Sequence, residues 1–355
     1  MLVTQYSVLF VREIFSIEIT DEARVGTARR AVHEYADRLG FTEKELAEID
    51  IVVQELGTNA ATYATQNSWL HYTTTIGRGA GLELFYWDAG PGIYNIDRAV
   101  RDGVSTSGSL GMGLGAIRRL MDQFDLYSTV RTTSKLSLQA ARRTSHGTAV
   151  LARKWRKDVR PEPMEVSRVG VWSRPHPGEE TNGDAYLIKT LGAQTLFVVV
   201  DGLGHGRGAK QAADTAIESL SDWTGEPLEE VFSAVHGALR ATRGAVMGAA
   251  VMDAAREEMR YAGVGNVSVR IFNAPQHATP IPSNGTMGAR MGRVRVWTQA
   301  WTEESILIMA SDGLSETWDI KSYPNLLERN PQILAGILMR DYSRTNDDAT
   351  VLVAK

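Results

Sequence analysis

Four aspartates, each closing an apolar run or set in a turn, constrain this chain more than any other feature. They are Asp184 in NGDAY, Asp201 in LFVVVDGLGHG, Asp312 in ILIMASDGLSE and Asp347 in TNDDATVLVAK. Asp201 and Asp312 each follow a short β-type run and precede a glycine. That order puts a carboxylate at a strand end, where the backbone can turn and the glycine carbonyl is free to act as a ligand. Hard divalent cations need several oxygen ligands, and carboxylates supply both the oxygens and the compensating charge. Two such strand ends side by side could hold a pair of metals, an arrangement that activates water for attack on a phosphoryl group. One Asp-Gly alone reads as a turn; four aspartates in matching contexts point to a shared site. Asp348 adjoins Asp347, and spacing leaves open which of the two coordinates.

The blocks GD, VVVDGLGHG, YAGVGN, SDGLSE and DDATVLV follow one another over residues 178–355. In that order they resemble the SpoIIE-like branch of the metal-dependent (PPM) serine/threonine phosphatases. The resemblance implies an αββα sandwich and hydrolysis of phosphoserine or phosphothreonine. It also implies two Mn²⁺ or Mg²⁺ ions held by Asp184, Asp201, Asp312 and Asp347, with the Gly202 carbonyl as a backbone ligand and Asp201 as the catalytic bridge between the ions. It favours Asp347 over Asp348.

With 355 residues the chain is long enough for two domains, each with its own core. The stretch RKDVRPEPMEVSR (156–168) is charged, carries two prolines and has few apolar residues. It reads as a linker, so the expected division is 1–158, a linker 159–168, and 169–355. The net charge of −4, with its acidic excess in the second half, argues against a nucleic-acid partner. A basic cluster from Arg142 to Arg160 reads as a solvated domain edge. The absence of cysteine rules out disulfides and thiolate metal sites. The N-terminus MLVTQYSVLFVREIF has neither a basic leader nor a long apolar core, and no apolar run approaches about 20 residues. A cytoplasmic protein with no membrane association is expected.

The expected fold is α+β throughout, with helices on one face of a mixed sheet in the first half and a layered sandwich in the second. The first half opens with one period-two strand, SVLFVREIFSIEI. A helix after Asp21 carries Val25, Ala28, Val32, Tyr35, Ala36 and Leu39 on one stripe and ends at Gly40. A second starts at Thr42, with Glu45 three residues on as a capping box, and continues through Asn59. The strand LELFYWDAG, a Gly/Ser-rich loop, a helix from Gly113 to about Phe124 and a strand pair within 126–151 complete this half. The second half alternates strands with helices near 207–223, 227–241 and 331–343.

Within the first half, Glu55 and Asn59 stand four apart on one helix face. A carboxylate there could act as a general base, and an amide oxygen could hold a metal. Asp88 ends an apolar strand and leads into AGPGI, where Gly90 and Gly92 let the backbone approach a ligand. Glycines at 108, 111, 113 and 115 run directly into a helix, whose N-terminal N–H groups and dipole favour phosphate. Neither a Walker nor a Rossmann pattern fits. The set ELGTNA, WDAGPGI, GSLGMGLGAIRRLMD and a late GT resembles the Bergerat-fold (GHKL) ATPases. Within them it is similar to the RsbT-like serine/threonine switch kinases of bacterial partner-switching modules.

That likeness covers most of residues 8–155 and implies a Bergerat-type α/β sandwich that binds ATP with Mg²⁺. It gives Glu55 the role of general base and Asn59 that of Mg²⁺ ligand. Asp88 would read the adenine amino group, with Gly90 beside it. Gly92, Gly111, Gly113 and Gly115 would line the phosphate lid, and Thr148 would close the adenine side. The connection between Ser128 and Gly147 is longer than is usual in the family and reads as a tolerated surface loop. His205, beside the metal ligands, reads as a residue that shapes its loop.

Together the two likenesses imply a bifunctional enzyme. It would phosphorylate STAS-domain antagonist or scaffold proteins through the first domain and dephosphorylate phosphoserine or phosphothreonine through the second. The output would be a sigma factor or another downstream effector. Alternatively, the first domain is a nucleotide-binding docking module or an anti-sigma factor, and only the phosphatase is catalytic.

Overall fold

In the computed structural model, Thr42 and Glu45 form the reciprocal cap that starts the longest helix. Glu45 Oε2 accepts from Thr42 N (2.9 Å) and Thr42 Oγ1 (2.7 Å), and Thr42 Oγ1 accepts from Glu45 N (3.4 Å). The structure describes residues 6–9, 12–63, 67–75, 81–101, 113–130, 146–158, 168–275 and 279–355. The chain divides into two compact units. The N-terminal unit is residues 12–167 with 319–333, and the C-terminal unit is 1–11, 168–318 and 334–355.

Strand β1 (Tyr6–Leu9) belongs to the C-terminal unit, where it pairs antiparallel with residues 188–191. The N-terminal unit begins with β2 (Phe15–Glu18). The single opening strand expected from SVLFVREIFSIEI is therefore two strands in two different sheets. Between them Arg12 is buried, its Nη1 donating to the Thr74 carbonyl (2.8 Å) and lying 3.5 Å from Glu83 Oε1. That buried charge pair ends the alternation a continuous strand would need.

The N-terminal unit continues with α1 (Glu22–Arg38), α2 (Glu43–Tyr63), β3 (Trp69–Thr74), β4 (Gly81–Trp87), α3 (Ile96–Ala99), α4 (Gly113–Leu120), β5 (Gln123–Thr129) and β6 (Gly147–Trp155). Its five strands are ordered β2-β3-β4-β6-β5, all antiparallel. Asp21 caps α1, accepting from Arg24 N at 2.9 Å. Val25, Ala28, Val32 and Ala36 are buried as the periodicity predicts, with Tyr35 and Leu39 packed at the edge of the same core. Ile49, Val53 and Leu56 of α2 and Leu82, Leu84 and Tyr86 of β4 complete that core. Gly57 brings the two helices together, since a Cβ there would stand 2.5 Å from Val25 Cγ1. Helix α4 is shorter than expected, because Gln123 already enters β5. The excursion 319–333 is held to this unit by Asp125, which accepts from Asn330 N (2.7 Å) and lies 3.6 Å from Arg329.

The other face of β4 buries charge. Arg153 is fully enclosed and donates from Nε to Glu83 Oε2 (2.6 Å) and from Nη1 to Gln123 Oε1 (2.9 Å). Burial alone would raise the Glu83 carboxyl, yet the Arg153 and Arg12 charges hold it below the usual range.

The C-terminal unit contains β7 (Val169–Arg174), β8 (Asp184–Leu191), β9 (Gln194–Gly202), α5 (Arg207–Ser221), α6 (Leu228–Ala238), β10 (Ala245–Asp253), β11 (Glu258–Val264) and β12 (Ser268–Phe272). It ends with β13 (Gly285–Thr286), β14 (Arg290–Met291), β15 (Trp297–Ala300), β16 (Ile306–Ala310), α7 (Pro331–Tyr342), whose first turn falls in the excursion, and β17 (Ala349–Ala354). A six-stranded sheet runs β1-β8-β9-β10-β11-β15 and a four-stranded sheet β12-β16-β17-β7. Ala212, Ala216 and Ile217 of α5 and Phe232 and Val235 of α6 pack on Leu196, Val198, Val200 and Ala249 of the larger sheet. The sheets meet closely at Gly248, where an added Cβ would lie 3.0 Å from Met309 Cε of β16. The whole is an α+β protein with a Bergerat-type sandwich and a PPM-type layered sandwich. No helix among the described residues is long and apolar enough to cross a membrane.

His71 of β3 is buried, its Nδ1 bonded to Ser16 Oγ (2.7 Å) and its ring 4.3 Å from that of Trp87. Burial pushes its pKa from 6.5 down to about 3. Between those values only the unfolded chain binds the proton, so stability is complete above pH 6.5 and is lost as pH falls towards 3. Urea unfolding followed by tryptophan fluorescence should show a loss of about 2 kcal/mol between pH 7 and pH 5 from this group, at about 1.4 kcal/mol per pH unit. His71→Phe should flatten that slope; an unchanged slope would mean the histidine is not held neutral.

Candidate functional site

The strand ladder assembles the C-terminal aspartates. Asp184 opens β8 and Asp201 lies near the end of β9, directly opposite each other in register. Asp312 follows β16, and Asp347 precedes β17, which pairs with β16. Ser311 ties the two sheets together. Its N–H donates to Thr350 O (3.0 Å), its Oγ accepts from Thr350 N (2.9 Å), and the hydroxyl donates to Asp184 Oδ2 (2.6 Å). Asn266 Nδ2 donates to Asp312 Oδ2 at 2.7 Å. Neither Ser311 nor Asn266 was singled out in the sequence, although both lie within its matched blocks.

The glycines after Asp201 and Asp312 serve close approach rather than a left-handed turn. A Cβ at Gly202 would stand 2.2 Å from the Ala209 carbonyl, and one at Gly313 1.7 Å from the Asp348 carbonyl. Neither adopts a positive φ. The two neighbouring aspartates differ in setting. Asp348 is buried, accepts from His176 N (2.8 Å), and has its Oδ2 packed where a Gly183 Cβ would be 2.6 Å away. Asp347 is half-buried, and its Oδ1 accepts from Asp348 N (3.0 Å).

Charge accumulates here. Burial first, then the charges of Asp184, Asp312, Asp347 and Asp348, push the Asp201 carboxyl up to about 9. Burial raises Asp184 to about 7, against hydrogen bonds from Ser311 and Thr350. Asp347 is raised by burial and by Asp312. All the side-chain ligand atoms are hard oxygens, and Arg174 is the cation that meets the charges of Asp184, Asp347 and Asp348, so a cluster this acidic fits divalent cations in chemistry. Among the described residues no three acidic or histidine side chains stand in ready coordination geometry. Ser311 and Asn266 hold two of the carboxylates in hydrogen bonds that cation binding would have to reorganise. His205 lies beside this end, its Nδ1 3.0 Å from Glu179 Oε1 and its ring stacked 4.7 Å from that of His176.

In the N-terminal unit a cleft of about 440 Å³ brings together Glu55, Asn59, Asp88, Gly92, Gly113 and Thr148. Asp88 is anchored on three sides: Oδ1 accepts from Gly90 N (2.7 Å) and Thr148 N (3.1 Å), and Oδ2 from Tyr86 OH (2.8 Å). Gly92 and Gly147 are required by their surroundings. Each has a positive φ, and a Cβ would stand 2.1 Å from the Thr129 and Asp88 carbonyls respectively. Glu55 is raised by burial, partly offset by a hydrogen bond from the backbone N–H of Gly113, the first residue of α4. Gly90 acts through Asp88 rather than in the cleft wall. Gly115 is buried inside α4 and does not line the cleft. Gly111, and the connection 131–145, lie outside the described residues. Tyr94, almost wholly exposed, stands at the cleft and has no counterpart among the expected residues.

Residues 19–139 match the histidine kinase-like ATPase domain family, and residues 192–355 match stage II sporulation protein E (SpoIIE). The serine/threonine-protein kinase RsbT of Bacillus subtilis (strain 168) is 37% identical over 113 residues, 32% of this chain and 84% of that protein. The phosphoserine phosphatase RsbX of the same organism is 23% identical over 196 residues, 55% of this chain and 98% of that protein. An anti-sigma F factor of Anoxybacillus flavithermus is 33% identical over 116 residues, 31% of this chain and 80% of that protein. A solved structure from work on the bacterial stressosome, as a modular system adapted to control secondary messenger signaling, is 30% identical. It covers 53% of this chain and 98% of its own, with a TM-score of 0.50. The chain therefore joins, in one polypeptide, a histidine kinase-like ATPase domain of the RsbT family to a SpoIIE-type domain of the metal-dependent serine/threonine phosphatases, similar to RsbX.

Proposed function

We propose that this signalling enzyme works in both directions on one class of target. The N-terminal unit transfers the ATP γ-phosphoryl group to a Ser or Thr hydroxyl of a STAS-domain partner, and the C-terminal unit hydrolyses phosphoserine or phosphothreonine. The observation that carries the reading is the convergence of buried, mutually repelling aspartates at one end of the C-terminal sheets. A cytoplasmic setting, where ATP is at hand, goes with this proposal, as does a sigma factor or other effector as the output.

In the C-terminal unit Asp184, Asp201, Asp312, Asp347 and the Gly202 carbonyl would hold two Mn²⁺ or Mg²⁺ ions. Such ions supply charge neutralisation and an activated water for in-line attack on phosphorus. Ser311 and Asn266, which now bond the Asp184 and Asp312 carboxylates, would yield those oxygens when the ions bind. Asp348 fixes the backbone at His176 and so frames the ligand beside it, which supports Asp347 as the coordinating member of the pair.

In the N-terminal unit Asn59 would hold the Mg²⁺ that accompanies ATP. Gly90 N, Thr148 N and Tyr86 OH hold the Asp88 carboxylate in one orientation, in which it would read the adenine amino group. Glu55, raised by burial, accepts the proton of the attacking hydroxyl, and a base with a raised pKa is the better acceptor near neutral pH. Gly113 N–H, now bonded to Glu55, would turn to the phosphates. Positioning and charge neutralisation account for most of such a transfer.

A second reading keeps only the phosphatase as a catalyst, with the N-terminal unit as a docking module or anti-sigma factor. It is favoured by the 33% identity to an anti-sigma F factor over this unit. Incubation of the purified protein with labelled ATP and candidate STAS proteins separates the two. Glu55→Ala should lower label transfer at least about 100-fold with ATP binding intact. A wild-type protein that binds the partner but transfers no label supports docking instead.

Asp201→Ala and Asp312→Ala should each reduce dephosphorylation by roughly 100-fold or more, leaving the circular dichroism spectrum and ATP binding unchanged. Chelation should stop the same reaction, with Mn²⁺ restoring it; turnover that survives either treatment contradicts the metal assignment.

A further inference from the structure

The loop from Asp201 into α5 has glycine at every second position: Gly202, Gly204, Gly206 and Gly208. Two of these face a single side chain. A Cβ added at Gly208 would stand 2.4 Å from Nε and 2.6 Å from Cζ of Arg243, and one at Gly204 would stand 3.4 Å from its Nη1. The guanidinium thus lies against the backbone of Gly208, in the space a side chain there would occupy, and beside Gly204.

The strand ladder delivers it there. Ala245 of β10 pairs with Gly202, and Leu203 N–H donates to the Gly244 carbonyl at 3.0 Å. The same rungs run from Asp184 to Asp201 to Val246. Arg243 therefore enters β10 at the sheet end that carries the aspartates.

Its charge is uncommitted. Arg243 is exposed and, among the described residues, makes no ion pair or hydrogen bond. Glu179, the carboxylate of the β7–β8 connection that faces this loop at Gly206, is engaged by His205 instead. A phosphomonoester dianion presents three oxygens. Cations held by the aspartates would neutralise part of that charge, and a guanidinium offers a rigid planar fork of donors for the remaining oxygens.

We propose that Arg243 is a substrate-binding residue of the phosphatase site, donating from its guanidinium to the phosphoryl oxygens of a phosphoserine or phosphothreonine side chain. The inference rests on the phosphatase reading of the C-terminal unit. Gly208 gives the clearance for the arginine in this position.

The test uses the full chain loaded with Mn²⁺, with Arg243→Ala and Arg243→Lys. Calorimetric titration with inorganic phosphate reads binding without turnover, and hydrolysis of a phosphoserine peptide reads KM and kcat. Arg243→Ala should weaken phosphate binding about 10-fold or more and lower kcat/KM roughly 100-fold, the range for charge-assisted hydrogen bonds. Mn²⁺ affinity should stay within about twofold, and Arg243→Lys should recover part of the loss by restoring charge without the fork. Phosphate affinity and kcat/KM both within about threefold of wild type in Arg243→Ala would overturn the proposal. Arg243-dependent phosphate binding without peptide hydrolysis would sink the phosphatase reading and leave the anion contact standing. Hydrolysis indifferent to Arg243 would do the reverse.

Discussion

Repulsion between carboxylates that the fold forces together governs the C-terminal unit. Asp184 and Asp201 are opposite residues of adjacent strands, so the backbone hydrogen bonds of the ladder hold them at a separation their charges oppose. Burial adds to the cost, because water cannot screen them. The protein relieves part of it with neutral donors, a serine hydroxyl on Asp184 and an asparagine amide on Asp312. A site built this way is costly as an anion cluster, and a bound cation would lower that cost.

The N-terminal cleft follows the opposite rule. Asp88 is fixed in one orientation by donors of its own chain, the Gly90 and Thr148 N–H groups and the Tyr86 hydroxyl. The glycines around it act by absence, since Gly92 and Gly147 let two carbonyl-bearing loops pass within van der Waals contact.

Much of this was legible in the sequence, because local rules produced it. The Thr42/Glu45 cap, the Asp21 cap and the apolar stripe of α1 appear as periodicity and spacing predict. So do the aspartates at strand ends, whose apolar runs became β9 and β16. What escaped was decided by partners distant in the chain. β1 looks continuous with β2 until Arg12 finds Glu83. Ser311 looks like filler in ASDGL until the sheets close and its hydroxyl meets Asp184. The glycines after Asp201 and Asp312 resemble turn residues, and only the packed structure shows a neighbouring carbonyl where a Cβ would go. Arg243 carried no local pattern at all.

Strand β1, near the start of the chain, belongs to the larger sheet of the C-terminal unit. Along the sequence, the N-terminal unit is thus inserted between an edge strand and the remainder of the sheet that strand completes. Cutting near residue 160 to isolate a C-terminal fragment strips β1 from β8 and bares a row of unsatisfied amides and carbonyls, the kind of margin on which chains stack into aggregates. A complementary N-terminal fragment would carry an orphan strand with nothing to join. Dissection of this protein is better done by grafting residues 6–9 onto the later half through a short flexible bridge than by scission at the linker.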